Sequence, residues 1–174
     1  QQQRVTIMSK PDQMSQSYVM SDDAVRFATM IMTGQGVSNE DAAIIAECLV
    51  EADLRGVQTH GLSRLPVYVE RVQRGLVKAM PNMKLEKPVA ACASLDGDNA
   101  FGFLVGRKAM QEAITMADSC GVGVVAARNS NHFGMAATYL LQAVRAGYFA
   151  FVFTNASKAM PPWGGREGLL GTSP

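Results

Sequence analysis

The sequence predicts an α/β protein: an amino-terminal helical subdomain followed by a domain built on a partly parallel sheet. Three observations carry this reading. Apolar residues recur at three- and four-residue steps as far as about residue 77. After Pro81 the pattern changes to alternation and short continuous apolar runs. Those runs are separated by helical stretches, and a strand–helix–strand order is what parallel pairing needs. The chain therefore divides into a disordered tail over residues 1–19, a helical subdomain over 20–77, and the first part of an α/β domain over 78–174.

The opening "QQQRVTIMSKPDQMSQS" has no signal-peptide apolar run and reads as a frayed tail. Ser21 can cap a helix whose first turn carries Asp22 and Asp23, with Val25, Phe27, Ala28, Ile31 and Met32 as its apolar face. "GQGVS" breaks that helix. "SNED", residues 38–41, is a capping-box pattern with Asp41 where glutamate is commoner. The helix behind it turns Ala42, Ile45, Cys48, Leu49 and Ala52 inward. "RGVQTHG" interrupts, and a third helix runs from about Leu62 to Arg74, stopping at Gly75. Pro66 fits only near the start of that helix.

"MKLEK" alternates, and "VAACASLDGD" reads as a strand closed by an Asp-Gly turn. Residues 102–119 form a helix with Leu104, Val105, Ala109, Ala113 and Met116 as its inner stripe. "CGVGVVAAR" is a strand, residues 134–146 a short helix ending at Gly147, and "YFAFVFTN" a further buried strand. "PPWGG" is an irregular loop. "GREGLLGTSP" is turn-like, as in a chain cut partway through a fold.

Composition removes several function classes. With a formal charge of +1 and no basic runs, no field favours nucleic acid or an anionic membrane. No apolar stretch approaches the roughly 20 residues of a membrane span. Cys48, Cys92 and Cys120 are far apart with apolar neighbours, so they read as reduced core residues of a cytoplasmic protein. They form no CxxC or Cys/His pattern, and no metal site is expected.

Chemistry is sparse enough to locate. The chain has two histidines, His60 and His132. His60, Arg64 and Tyr68 are spaced by four, which on a helix places them near one face. Arginine offers a two-pronged fork to a carboxylate, and histidine exchanges a proton near neutral pH. The same spacing also fits a solvated helix face with an Arg–Glu pair, since Glu70 and Arg71 are near. His132 lies in "NSNHFG", at the carboxyl end of a strand and just before a helix starting near Gly134, whose free N–H groups favour an anion. A loop histidine that merely caps that helix fits equally well. Thr154, Asn155, Ala156 and Ser157 leave the last strand with hydroxyl, amide and backbone groups suited to a phosphate or a nicotinamide, or only to a loop pinned by its prolines and Trp163. The chain lacks the GxGxxG fingerprint, a Walker P-loop, GxSxG and HExxH.

Three segments, "EADLRGVQTHGLSRLPVYVERVQRGLV", "NSNHFGMAATY" and "TNASKAMPPWGGREGLLGTSP", together resemble the malate/L-lactate dehydrogenase family of the second, non-Rossmann type. That family includes ureidoglycolate, sulfolactate and diketogulonate dehydrogenases and a cyclic-imine reductase. The resemblance runs from about Ser21 to Pro174. It implies an oxidoreductase that moves a hydride between NAD or NADP and a small 2-hydroxy or 2-oxo acid, on a non-Rossmann α/β cofactor-binding domain. It implies proton exchange at His132, with His60 in the same site. Arg64 then meets the substrate carboxylate, and Thr59 and Tyr68 flank the substrate. Thr154, Asn155, Ala156, Ser157 and Gly134 fall to the cofactor.

The chain departs from the family where Ala156 replaces a serine, Lys158 replaces a common proline, and "GTSP" stands for "GTNP". Family members continue well beyond that point, so the α/β domain reads as truncated, its remainder coming from a missing segment or a separate chain. Homodimers are common in the family. Two alternatives remain: a reductase of cyclic imines or other 2-imino acids, and an inactive half-protein acting as an assembly module.

Overall fold

The computed structural model describes residues 4–7 and 17–172. Strands β1 (Arg4–Ile7) and β2 (Ser17–Met20) pair antiparallel, Arg4 opposite Met20. The disordered tail expected over 1–19 is thus overturned for those residues, and the remainder of it lies outside the described residues. The β-branched run Val5-Thr6-Ile7 suits a strand, and Val19 of its partner packs against Ala24 and Val50.

Helices α1 (Ser21–Gly34) and α2 (Asn39–Leu54) form the first layer. Ser21 does not cap α1: the cap position is Met20, and Ser21 is already helical. Ala24, Ala28 and Met32 are the buried stripe, while Phe27, expected inside, is 60% exposed. The capping pattern of α2 holds, with the Asp41 N–H donating to Ser38 Oγ at 3.1 Å. Ala42, Ile45, Cys48, Leu49 and Ala52 are all buried.

The third helix starts later than its spacing suggests. Two 3₁₀ turns, Gln58–His60 and Leu62–Arg64, precede α3 (Leu65–Gln73), which has Pro66 in its first turn. A 3₁₀ start leaves its first N–H groups without helical partners. One is met by Asp53, whose Oδ2 accepts from Leu62 N–H at 2.8 Å. Gly61 is needed there, because a Cβ would stand 1.8 Å from the Asp53 carboxylate.

The sheet has the order β3-β4-β5. Strand β3 (Lys84–Val89) is antiparallel to β4 (Cys92–Ala100), and β4 is parallel to β5 (Val124–Ser130). The Asp-Gly pair closes nothing: Gly97 lies inside β4, and the left-handed residues are Asp98 and Asn99. Helix α4 (Gly102–Cys120) is the crossover between the parallel pair, ended by Gly121 in the left-handed region. Phe101, Phe103 and Leu104, at its start, join the same buried cluster as Ile45, Leu49, Leu65 and Tyr68. The helical piece and the start of α4 therefore share one core, while Leu95 and Ala100 of β4 pack with Val105 in a separate cluster.

Two further expectations are corrected. Helix α5 spans Ala137–Arg145 and does not begin near Gly134. Gly134 has φ +72, a left-handed conformation that a right-handed helix cannot include. The expected last strand, residues 148–155, is extended but unpaired among the described residues. Tyr148, Ala150 and Val152 pack on Met110, Ile114, Tyr139 and Ala143. Phe149, Phe151 and Phe153 point the other way, 84%, 70% and 81% exposed. Alternation is present, but a strand also needs a hydrogen-bonding neighbour, and no described residue supplies one. Of the cysteines, all free, only Cys48 is buried; Cys120, expected in the core, is exposed at the end of α4. No helix among the described residues is long and apolar enough to cross a membrane.

Candidate active site

The imidazoles of His60 and His132 stack, with ring centroids 5.5 Å apart and planes inclined by 24°. Backbone packing brings them together. The His132 segment lies directly on the start of α4, where a Cβ on Gly102 would fall 2.2 Å from Asn131 O and 2.6 Å from His132 O. Only glycine lets that loop approach so closely. The Tyr139 hydroxyl donates to Phe133 O and holds the loop from the other side.

Asn131 fixes the loop's register. Its Nδ2 donates to Asn99 Oδ1 (2.9 Å), Ala100 O (3.0 Å) and Asn99 O (3.2 Å). Its Oδ1 accepts from Arg71 Nη2 at 2.8 Å. Sequence reasoning assigned a site role to neither Asn131 nor Arg71. The available signals were the position of Asn131 beside His132 and that of Arg71 one turn after Tyr68.

His60, Arg64, Arg71, His132 and Gly134 line one cavity of about 1570 Å³. Thr154, Asn155, Ala156 and Ser157 also line it. The candidate substrate and cofactor residues thus face a common space, with two exceptions. Tyr68 is 3% exposed and sits behind the His132 ring, its hydroxyl 2.8 Å from Nδ1. Thr59 lies beside the cavity, its Oγ1 2.9 Å from His60 Nδ1. No carboxylate among the described residues lies within ion-pair distance of Arg64 or Arg71, and the Nε of each is buried without a partner. Both arginines are half-buried, and a partly desolvated guanidinium without a carboxylate partner favours an anionic ligand.

Electrostatics follow from this packing. Burial lowers the pKa of both histidines below the ordinary 6.5, and the Arg64 guanidinium lowers each further. His60 and Arg71 add to the effect on His132. Both rings are therefore neutral at pH 7. Burial raises the Tyr68 phenol to about 12, so it keeps its proton. Among the described residues no group of three His, Cys, Asp or Glu side chains could hold a metal ion.

Fold and site thus define an α/β protein with a two-histidine, arginine-lined pocket. The malate/L-lactate dehydrogenase family model matches residues 19–174, and the chain belongs to that family. It is 41% identical over 156 residues to a malate dehydrogenase of Pyrococcus abyssi, covering 90% of this chain and 43% of that protein. It is 45% identical over 139 residues to an L-sulfolactate dehydrogenase of Methanocaldococcus jannaschii, covering 80% and 40%. The malate dehydrogenase structure from Pyrococcus horikoshii OT3 superposes with a TM-score of 0.81 at 40% identity, over 88% of this chain and 44% of that one. A delta1-piperideine-2-carboxylate reductase from Pseudomonas syringae superposes with a TM-score of 0.76 at 26% identity, over 88% and 46%. The chain therefore spans less than half the length of these relatives.

Proposed function

We propose that this chain supplies the acid–base and substrate-binding half of an NAD- or NADP-dependent 2-hydroxy acid dehydrogenase. The observation that carries the proposal is the stacked His60–His132 pair in a cavity where Arg64 has no carboxylate partner among the described residues. Family membership supports the reaction class, since the relatives are named as dehydrogenases of malate and sulfolactate.

Arg64 pairs with the substrate carboxylate through its planar fork and sets the α-carbon toward the opposite wall. His132 takes the hydroxyl proton in oxidation, becoming the imidazolium, and in reduction that imidazolium, formed by proton uptake from solvent, donates to the carbonyl oxygen, where negative charge develops. His60, stacked on it, orients the same oxygen. Low-lying imidazole pKa values keep both rings neutral in the resting pocket, so positive charge there comes from its arginines, of which Arg128 is paired with Asp96.

The residues present suit a nicotinamide nucleotide. Asn155 and Ser157 line the cavity with side chains that make no hydrogen bond to a described residue, a donor and acceptor set matched to a carboxamide or phosphate. The cavity exceeds the roughly 300–1,000 Å³ of a single small-ligand site, which leaves room for two molecules. Thr154, Asn155, Ala156 and Ser157 would hold the nicotinamide nucleotide, which would supply the hydride chemistry.

The test is turnover of malate, lactate and sulfolactate with NAD and NADP, and of the matching oxo acids with the reduced cofactors, in the protein with its family-length polypeptide. Arg64→Lys is expected to raise KM at least tenfold with little change in kcat, because a point charge replaces a fork. An unchanged KM would remove Arg64 from carboxylate binding. Cyclic imines belong in the same panel, given the likeness to the piperideine-carboxylate reductase. Turnover of imines alone would replace the hydroxy-acid reading.

We further propose a soluble cytoplasmic setting, a homodimer, and a carboxyl-terminal half supplied by a further segment or a separate chain. An assembly module without activity is the competing reading. Calorimetry with NADH on this 174-residue chain separates them, since binding would favour the enzyme.

A further inference from the structure

We propose that Tyr68 is a positioning residue that fixes the tautomer of His132, keeping the ring proton on Nε2 and the lone pair on Nδ1. The consequence for catalysis rests on the proposed function; the tautomer itself does not.

Two groups converge on His132 Nδ1. The Tyr68 hydroxyl lies 2.8 Å away, and the Gly134 N–H points at the same atom over a longer 3.4 Å. A hydroxyl can donate or accept, but a backbone N–H only donates. A proton on Nδ1 would face the Gly134 N–H head on. With the lone pair on Nδ1, both neighbours donate to it and nothing is left opposed. The neutral ring then carries its proton on Nε2, which makes no hydrogen bond to any described residue.

Tyr68 is well placed for this. Its ring is wedged edge-on between Phe101 and Phe103, at centroid distances of 6.2 and 5.3 Å, so the hydroxyl has one direction to point. It is buried and does not line the cavity, so it touches substrate only through His132. The Gly134 N–H reaches Nδ1 from two residues along the same loop.

The lock has to be released in turnover. A neutral ring with Nε2–H can hydrogen-bond a substrate oxygen. To accept a hydroxyl proton at Nε2, the ring must first carry its proton on Nδ1. To give a proton to a carbonyl oxygen it must start as the imidazolium, which carries Nδ1–H as well. In both directions the Tyr68 oxygen must turn into the acceptor and the Gly134 contact must be given up.

The experiment is ¹⁵N NMR of the two imidazoles in this chain, above the pH at which either ring is charged. His132 is expected to show a protonated Nε2 and an unprotonated Nδ1. In Tyr68→Phe, which keeps the ring packing, the ratio of the two tautomers should fall about fivefold, the equivalent of one ordinary hydrogen bond. The His132 titration midpoint should rise, because the lost bond favoured the neutral form. Arg64, Arg71 and His60, the charged and titratable groups facing the ring, are unaltered in the variant, and the His60 signals serve as the internal control. A dominant Nδ1–H form in the unsubstituted chain would overturn the proposal without any variant. Identical His132 spectra in the two proteins would also overturn it. Neither outcome touches the acid–base assignment, which the turnover assays test separately.

Discussion

The two walls of the cavity are built in opposite ways. On the histidine wall, residues 53–71 and 129–134 are tied by side-chain hydrogen bonds from Asp53, Tyr68, Arg71 and Asn131, and they rest on the main buried cluster. On the opposite wall, residues 149–157 carry three exposed phenylalanines and no sheet partner among the described residues. The difference separates two tasks. The geometry of the histidine pair is pre-organised by contacts within this chain, whereas residues 149–153 expose their phenylalanines and pair with no described strand.

The largest expected effect falls on the histidine wall. His132→Ala should lower turnover about 10²–10⁴-fold in the active dehydrogenase while cofactor binding survives, measured as kcat and as cofactor titration. Full activity in that variant would strip the wall of its proposed role. Next comes a paired stability measurement. Leu49→Ala, in the shared core, should cost about 2–5 kcal/mol in a urea titration. Phe153→Ser, on the opposite wall, should stay within about 0.5 kcal/mol. Equal losses would erase the contrast between the walls.

Hydrogen exchange sharpens it further. Amides of 149–153 should exchange with almost no protection, while those of β4, paired on both sides, should be protected up to the global stability. Comparable protection in both segments would mean that 149–153 is paired in solution.

The smallest effect is one of pH. Both histidines have folded-state pKa values below 6.5, so the unfolded chain takes up these protons first as the pH falls. Their neutral rings contribute stability that is complete above about 6.5 and is lost as the pH drops through that value toward the folded ones. The urea midpoint should therefore decline modestly between pH 7.5 and 5.5, and His132→Gln should flatten the decline. Asp96 and Asp98, whose pKa values are lowered from 3.8, titrate in a separate window below it. A midpoint that rises on acidification would contradict the buried, neutral rings.

Much of this was legible before any coordinates. Periodicity placed α1, α2 and α4 because each buries a local stripe against a neighbour, and the apolar run of β5 marked a strand although that strand is exposed at all positions but one. The cap at Ser38 and the stop at Gly121 are local chemistry as well. Errors came where the outcome depended on partners far along the chain. Alternation in Phe149 to Phe153 cannot say whether a strand stands alongside. The spacing of His60, Arg64 and Tyr68 assumed one helix, whereas two 3₁₀ turns anchored by Asp53 carry the first two residues. Tyr68 accordingly points behind His132 and not into the pocket.

By itself, the order of residues settled which segments are helical, which side chains have acid–base or anion-binding chemistry, and which family the motifs resemble. All of these depend on neighbours within a few positions. Only the tertiary structure decided that His60 and His132 stack, that Tyr68 addresses Nδ1, and that Arg64 is left without an anion. Those depend on the close approach of the His132 loop to Gly102, a contact between segments roughly 30 residues apart that no local pattern records.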